Sequence, residues 1–476
     1  MKQYLFYDIE STGLNKAFDQ VMQFAAIRTD ADLNEIDRHT LMVKVRPDVV
    51  PSPGAVITHR ISPSAAESGL SEYEATCRIH ALMNVPGTVS VGYNTLGFDD
   101  EFLRFSFHRN LLPPYTHQYA RGCGRMDLLP MAAIYRSHKG EVMSWPEVDG
   151  APTLRLEHLS AANNLAQGQA HDALVDVEAT VALAKRFMAE RPTWDYLLGS
   201  FDKQTDRDRM EKIPSLFQSA SGIHRLALMV GSEYGAAANY QAPVLSIGTS
   251  MPYSNQSLWL RLDRADLAET TEETIAEKTW VVRKRFGEPG ILLPPSERFW
   301  RLVDAERAKV VDDNIRWIRE NDRLFQKIVA HHVEFAYPLI PDLDPDAALY
   351  QSGFLNRKEE AACRSFHAAG EGERAALAEG MPSEKTRALA LRVVGRNWPE
   401  RLTPAMADTF SNYLGRVNPP AGSDPLLDYK GQPRQTPEAA LREIAELLGG
   451  NERELDGQQH QLLVELEAHI RGRFAV

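Results

Sequence analysis

The chain has 476 residues, 43% of them hydrophobic and 25% charged. That length implies two or three domains with a core in each, and the composition excludes a disulfide-stapled miniprotein, a disordered chain and a membrane-spanning bundle. A net charge of −12 excludes a protein that coats nucleic acid with a uniformly basic surface, but it leaves room for a local basic groove.

The start, MKQYLFYDIE, carries acids where a secretory signal would hold its apolar stretch, and no apolar run reaches bilayer length. A cytoplasmic protein without membrane contact is therefore expected. Cys77, Cys123 and Cys363 sit in no metal-ligand spacing and read as reduced thiols.

Apolar runs at Tyr4–Asp8, Val21–Arg28 and Leu41–Val45 predict three opening strands. Helical periodicity follows at 72–83, a buried strand at Thr88–Tyr93, and helices at Asp99–Arg109, Met126–Ser137, Arg155–Asn163 and Asp172–Glu190. This is a mixed α/β domain over residues 1–191. From 192 to 346, short Val/Ile/Leu-rich runs between Gly, Pro, Ser and Asn clusters predict a small β domain, closed by a helical segment over Ala305–Phe335. Residues 347–476 are almost entirely helical in periodicity: 357–368, 374–379, 383–395, 404–417, 437–448 and 452–473.

Three groups of residues carry possible chemistry. Asp8 and Glu10 lie at i and i+2 where the first strand ends, so both carboxylates leave one face about 7 Å apart and are placed to share divalent cations. Asp99 follows Asn94 and Phe98 at a helix start. His171 precedes a helix by one residue, and Asp176 lies one turn inside it, so the two side chains have a common cleft within reach. Each group also has a plainer reading: a solvated strand end, an acid that satisfies a helix dipole, and a capped helix with Asp172 as its cap. A further segment, 104–140, holds six basic residues against one acid, interleaved with Phe105, Phe107, Tyr115, Tyr119 and Tyr135. That is the composition a single-strand groove needs.

Taken in order, Asp8-x-Glu10, Asn94-x-x-x-Phe98-Asp99 and His171-x-x-x-x-Asp176 resemble the three motifs of the DEDDh branch of the proofreading exonucleases, which have a ribonuclease H-like fold. Further stretches resemble the bacterial exodeoxyribonuclease I family: Gln23–Asp30, Pro53–Val56, Gly92–Asn94 with Phe98–Glu101, Asp127–Leu129, Arg155–Leu159, Leu349-Tyr350-x-x-Gly353-Phe354 and Arg396-Asn397-x-Pro399. The resemblance implies an exonuclease domain (1–191), a small barrel like a Src-homology barrel (192–346) and a helical domain (347–476), closing as a clamp on single-stranded DNA. It implies two magnesium ions, or manganese, on Asp8, Glu10, Asp99 and Asp176, with His171 as general base. Arg155, Arg104, Tyr115, Tyr119 and Glu10 match substrate contacts. Position 119 carries Tyr where the family can carry Trp, and Ile9 and Ser11 replace an aromatic residue and Thr.

The expected activity is release of 5′-mononucleotides from the 3′ end of single-stranded DNA, in DNA repair and recombination. The resemblance adds docking to the acidic C-terminal tail of single-strand-binding protein, and the expected state is a monomer. Arg283-Lys284-Arg285 beside Phe286, together with the aromatics of the β domain, is a candidate distal strand contact; the alternative for the three basic residues is a solvated charge run. An exoribonuclease and a binding module without catalysis are the rival readings. Residues 192–476, as a DNA clamp, favour DNA over RNA, and the five intact motif positions oppose the binding module.

Overall fold

The computed structural model describes residues 2–168, 172–420, 423–450 and 455–474. Strands β1 (Gln3–Ser11), β2 (Val21–Thr29) and β3 (Glu35–Met42) form an antiparallel meander, and β4 (Thr88–Gly92) and β5 (Gly124–Asp127) continue the sheet in parallel on the far side of β1. The order is β3-β2-β1-β4-β5. Around it stand α1 (Pro53–His59), α2 (Glu72–Met83), α3 (Asp99–Arg109), α4 (Leu128–His138), α5 (Leu156–Asn163) and α6 (Ala173–Ala189), with a hairpin of β6 (Glu147–Val148) and β7 (Ala151–Pro152).

Strand β2 is buried along its whole length because both sheet faces are covered. Tyr4 and Phe6 of β1 pack with α4 and α6 residues such as Met131, Tyr135, Val177 and Phe187. Leu5, Tyr7 and Ile9 pack on the opposite face with Ile79 of α2 and with Phe102 and Phe107 of α3. Since strand side chains alternate, Asp8 and Glu10 share the face of Tyr4 and Phe6, which α6 covers.

Three local expectations differ from the structure. The third strand is β3 rather than Leu41–Val45, because EIDRHTLM is a half-exposed edge strand with little apolar alternation to read. The segment expected as one helix from Met126 divides: β5 ends at Asp127, whose carboxylate caps α4 by accepting from the Leu129 N–H at 2.9 Å. The segment Ala305–Phe335 is two helices, Ala305–Glu320 and Asp322–Glu334.

Helices Arg191–Leu198 and Lys203–Lys212 lead to a second, antiparallel sheet of β8 (Ser215–Ser219), β9 (Gly222–Val230), β10 (Gln241–Thr249), β11 (Gln256–Arg261), β12 (Val281–Arg285) and β13 (Ile291–Leu293). Its order is β12-β11-β10-β9-β13, with β8 also paired to β9. Leu228 and Val230 of β9, with Trp194, join the cluster that holds Tyr4 and Phe6, so the two sheets share one core.

The C-terminal helices dock on the first domain through apolar and charged contacts. Helices Pro437–Gly449 and Gly457–Phe474 pack on Val56 and Ile57 of α1. Nearby, buried Asp48 accepts from Arg396 at 2.8 Å and lies 3.3 Å from Arg46, while Arg396 also pairs with Asp346 and Arg392 with Asp344. Buried pairs like these add little net stability over apolar packing, but they admit one register, because an unpaired member is costly. Among the described residues no helix is long and apolar enough to cross a membrane.

Candidate metal centre and groove

The centre forms where β1 ends. Glu10 pairs with Gln23 across β1 and β2, and Gln23 Oε1 accepts from the N–H of Ala173, the first residue of α6, at 3.2 Å. Asp172 caps the same helix, accepting from the Leu174 N–H at 3.0 Å. This anchoring sets Asp176, one turn in, against the strand carboxylates. Oxygens of Asp8, Glu10 and Asp176 lie within 4.8 Å of one another.

Asp99 is buried at the first turn of α3, where its carboxylate accepts from backbone N–H groups, including that of Ile9. The loop before it is fixed by Asp127, which accepts from the N–H groups of Asn94 at 2.9 Å and Leu96 at 3.1 Å. Gly92 permits the tight exit from β4, since a Cβ there would stand 2.0 Å from Thr95 Cγ2.

Burial, then the charges of Asp99, Glu10 and Asp176, pushes the Asp8 carboxyl well above its ordinary range. Burial with Asp176 and Asp99 raises Glu10 to about 9. Asp99 rises to about 8, chiefly through burial. Crowded carboxylates that resist ionisation in the bare protein fit a divalent cation, whose charge would relieve both burial and repulsion. All-oxygen donors suit the hard ions magnesium and manganese. His171 lies outside the described residues.

A cavity of about 980 Å³ lies where the three segments of the chain meet. Gly97, Glu101, Arg104 and Tyr115 line it from the first domain, Tyr253, Arg283 and Arg285 from the second, and Tyr350, Phe354, Lys385 and Tyr429 from the helical region. Gly97 and Glu101 each stand two residues from Asp99, so the lining includes the chain on either side of that carboxylate, although none of Asp8, Glu10, Asp99 and Asp176 is itself part of the lining. Phe354, 87% exposed, meets Tyr115 edge-on at 5.9 Å. Cations interleaved with available aromatic faces suit a single strand, whose phosphates and bases need both.

The substrate contacts expected from sequence are distributed unevenly. Arg104 lines the cavity but is mostly buried, with its guanidinium on Asp100. Tyr115 lines the cavity, half-buried, whereas Tyr119 is 69% exposed and lies outside the lining. Arg155 is exposed at the start of α5, 3.8 Å from Glu157, also outside the lining.

The basic stretch 104–140 is not a continuous groove wall. Arg109 is buried on Glu72 at 2.8 Å, Arg125 bridges Asp100 and Glu288, and Tyr135 stacks on Phe187 at 4.1 Å. Sequence proximity misleads here because α3 and α4 pack on opposite sheet faces, and most of their charges are consumed as internal pairs. Of the run 283–285, Arg283 and Arg285 line the cavity, while Lys284, on the other face of β12, is buried on Asp206 at 2.7 Å and Phe286 is buried beneath Arg207.

One lining residue, Tyr429, escaped the sequence reading, while Glu101 was legible only as part of the Phe98–Glu101 stretch, and Tyr253 and Tyr337 only as unspecified aromatics of the β domain. Tyr350 and Phe354 carried a signal, as part of the Leu349–Phe354 motif. Tyr429 carried none, since it is a lone tyrosine in a connecting segment.

Residues 5–184 match the exonuclease family. Among curated proteins, exodeoxyribonuclease I of Escherichia coli is 32% identical over 382 residues, covering 76% of this chain and 78% of that protein. Among solved structures, E. coli exonuclease I in complex with a dA16 oligonucleotide superposes with a TM-score of 0.86 at 27% identity, covering 99% of this chain and 100% of that one. The zinc-bound form of the E. coli enzyme–single-stranded DNA complex gives a TM-score of 0.82 at 26% identity, covering all of both chains.

Proposed function

Because the chain belongs to the exodeoxyribonuclease I family, we propose that it is a nuclease that removes 5′-mononucleotides one at a time from the 3′ end of single-stranded DNA. The observation that carries this reading is the position of Asp99, a buried carboxylate of the metal centre flanked on both sides by residues that line the basic, aromatic cavity. A strand lying in that cavity delivers one end to the carboxylates.

Asp8, Glu10, Asp99 and Asp176 would hold two magnesium ions, with manganese as an alternative. When bound, these supply activation of the attacking water and stabilisation of charge on the leaving oxygen. Water forms the new bond to phosphorus, the bond to the 3′ oxygen of the preceding nucleotide breaks, and no covalent enzyme intermediate forms. His171 is assigned as acceptor of the water's proton. Tyr115 and Phe354 offer faces and edges for unpaired bases, and Arg283, Arg285 and Lys385 offer charge to phosphates. Arg104, held by Asp100, positions Tyr115 from 5.9 Å over its ring as well as facing the cavity. Arg155, Tyr119 and Glu10 complete the proposed substrate contacts.

In this reading segments 1–191, 192–346 and 347–476 are the catalytic, β and helical parts of a clamp that retains the strand between cuts. The protein is a cytoplasmic monomer in DNA repair and recombination, and it docks the acidic C-terminal tail of single-strand-binding protein. Digestion of a 5′-labelled single strand with and without magnesium, beside RNA and blunt-duplex arms, tests it. The expected result is a magnesium-dependent ladder shortening from the 3′ end of single-stranded DNA. Equal rates on blunt duplex, or a preference for RNA, would overturn the reading.

A further inference from the structure

The start of α3 carries three consecutive acids, each with a different partner set. Asp99 is the fourth proposed metal ligand, outside the group of Asp8, Glu10 and Asp176 whose oxygens lie within 4.8 Å of one another. Asp100 is buried among Arg104, Arg125 and His117, and Arg125 reaches Glu288 of the β domain at 2.8 Å. Glu101 divides its carboxylate between two parts of the protein. Its Oε1 accepts from Tyr350 Oη at 2.8 Å and Tyr429 Oη at 3.0 Å, both from the helical region, while its Oε2 accepts from Lys16 Nζ in the loop after β1.

Lys16 Nζ also donates to the Gly97 carbonyl at 2.7 Å and stands 5.6 Å above the Phe98 ring. Lys16 thus holds the chain two residues before and two residues after Asp99. It sits in the loop that follows β1, five residues after Ser11 and six after Glu10, so it links the segments that carry two different proposed metal-site carboxylates. The tyrosines are held over α3 by Phe105, one turn beyond Glu101, at 5.4 Å from Tyr350 and 5.0 Å from Tyr429. Both rings line the cavity.

We propose that Glu101 is a positioning residue that couples occupancy of the groove to the geometry of the metal centre. A strand seated against Tyr350 and Tyr429 holds their hydroxyls on Glu101. Glu101 holds Lys16, and Lys16 sets Asp99 relative to Glu10. A long strand therefore tightens the metal centre, whereas a dinucleotide, which leaves most of the groove unoccupied, leaves it looser. The coupling is reciprocal, so bound metal also tightens the grip on a long strand. The inference rests on the single-strand reading above.

The test titrates manganese into the full-length protein, following free ion by electron paramagnetic resonance. The titration is done with a phosphorothioate dinucleotide and with a phosphorothioate single strand of about 12 nucleotides, enough to fill a groove of this kind. Wild type should bind manganese roughly 5- to 10-fold more tightly with the long strand than with the dinucleotide. Glu101→Gln, and separately Tyr350→Phe with Tyr429→Phe, should bring that ratio to about one. The phenylalanine pair keeps the ring packing on Phe105, so it remains informative if Glu101→Gln misfolds. A purely structural role would weaken manganese binding equally with both strands and preserve the ratio. A ratio near one in wild type, or a wild-type ratio in both variants, overturns the coupling. Fluorescence anisotropy on the same strands separates the two failures: if the long strand does not bind wild type at all, the proposed function fails, and if it binds without the ratio, only the coupling fails.

Discussion

Replacing Asp8 with Asn should abolish most activity and yet stabilise the metal-free protein at alkaline pH. Asp8 is raised by burial and then by Asp99, Glu10 and Asp176. Its neighbours Glu10 and Asp99 are raised from 4.5 to about 9 and from 3.8 to about 8. A carboxyl whose folded pKa is raised holds a proton that the unfolded chain gives up. Its contribution to stability is fully present below the unfolded value near pH 4 and is lost as pH climbs through the folded value. Each tenfold difference in proton affinity between the folded and unfolded chain corresponds to about 1.4 kcal/mol, so the centre withdraws on the order of several kcal/mol between about pH 4 and pH 9 in the bare protein. Asn in place of Asp8 removes one buried charge and its repulsion. The melting temperature of the metal-free variant at pH 8.5 should exceed that of wild type by several degrees, with the difference vanishing near pH 4.5, below the raised folded values. Magnesium replaces protons as the source of relief, so it should stabilise wild type more at pH 8.5 than at pH 5, and the variant less than wild type at pH 8.5. Differential scanning fluorimetry across pH, with and without magnesium, reads all of this. If Asp8→Asn melts at or below wild type at pH 8.5, and magnesium stabilises both proteins equally, the electrostatic account of the centre is wrong.

Asp48→Ala removes the buried carboxylate shared by Arg46, Arg396 and Arg434, leaving Arg46 on Glu72 and Arg396 on Asp346 but Arg434 without a paired acid among the described residues, and should cost about 3 to 5 kcal/mol, read as a lower denaturant midpoint and faster proteolysis in the helical region. The isolated segment 1–191 should fold poorly, because it lacks Trp194, Leu197, Leu228 and Val230 from the core shared with Tyr4 and Phe6; a cooperative melt of that fragment would contradict the shared core. Tyr115→Ala and Phe354→Ala should each weaken single-strand binding by about 1 to 3 kcal/mol in anisotropy titrations, and Arg283→Ala should lower the slope of log affinity against log salt by about 0.7. His171→Ala should lose the acidic limb of the rate–pH profile, which otherwise rises through about pH 6.5; an unchanged limb assigns that titration elsewhere.

Local features of the site follow from the order of residues alone. The period of a β-strand puts Asp8 and Glu10 on one face whatever surrounds them. Helix-start chemistry marks Asp99 and Asp172, and the helix 72–83 and the helix beginning at Asp99 lie where the order of residues predicts them. Which face of β1 meets α6 was settled only by packing, through Gln23 opposite Glu10 and its bond to Ala173. The three acids at 99–101 are alike in sequence. They acquire different roles because successive helical residues point about 100° apart, and each direction meets a different segment of the chain. The same holds for the basic residues of 104–140, which a count treats alike although only Arg104 lines the cavity and Arg109 and Arg125 are held in internal pairs. Tyr350 and Tyr429 reach Glu101 from more than two hundred residues away, and that contact exists only because the helical region docks on α3. A pattern within one element fixes the direction a side chain takes, and the tertiary structure fixes what it finds there.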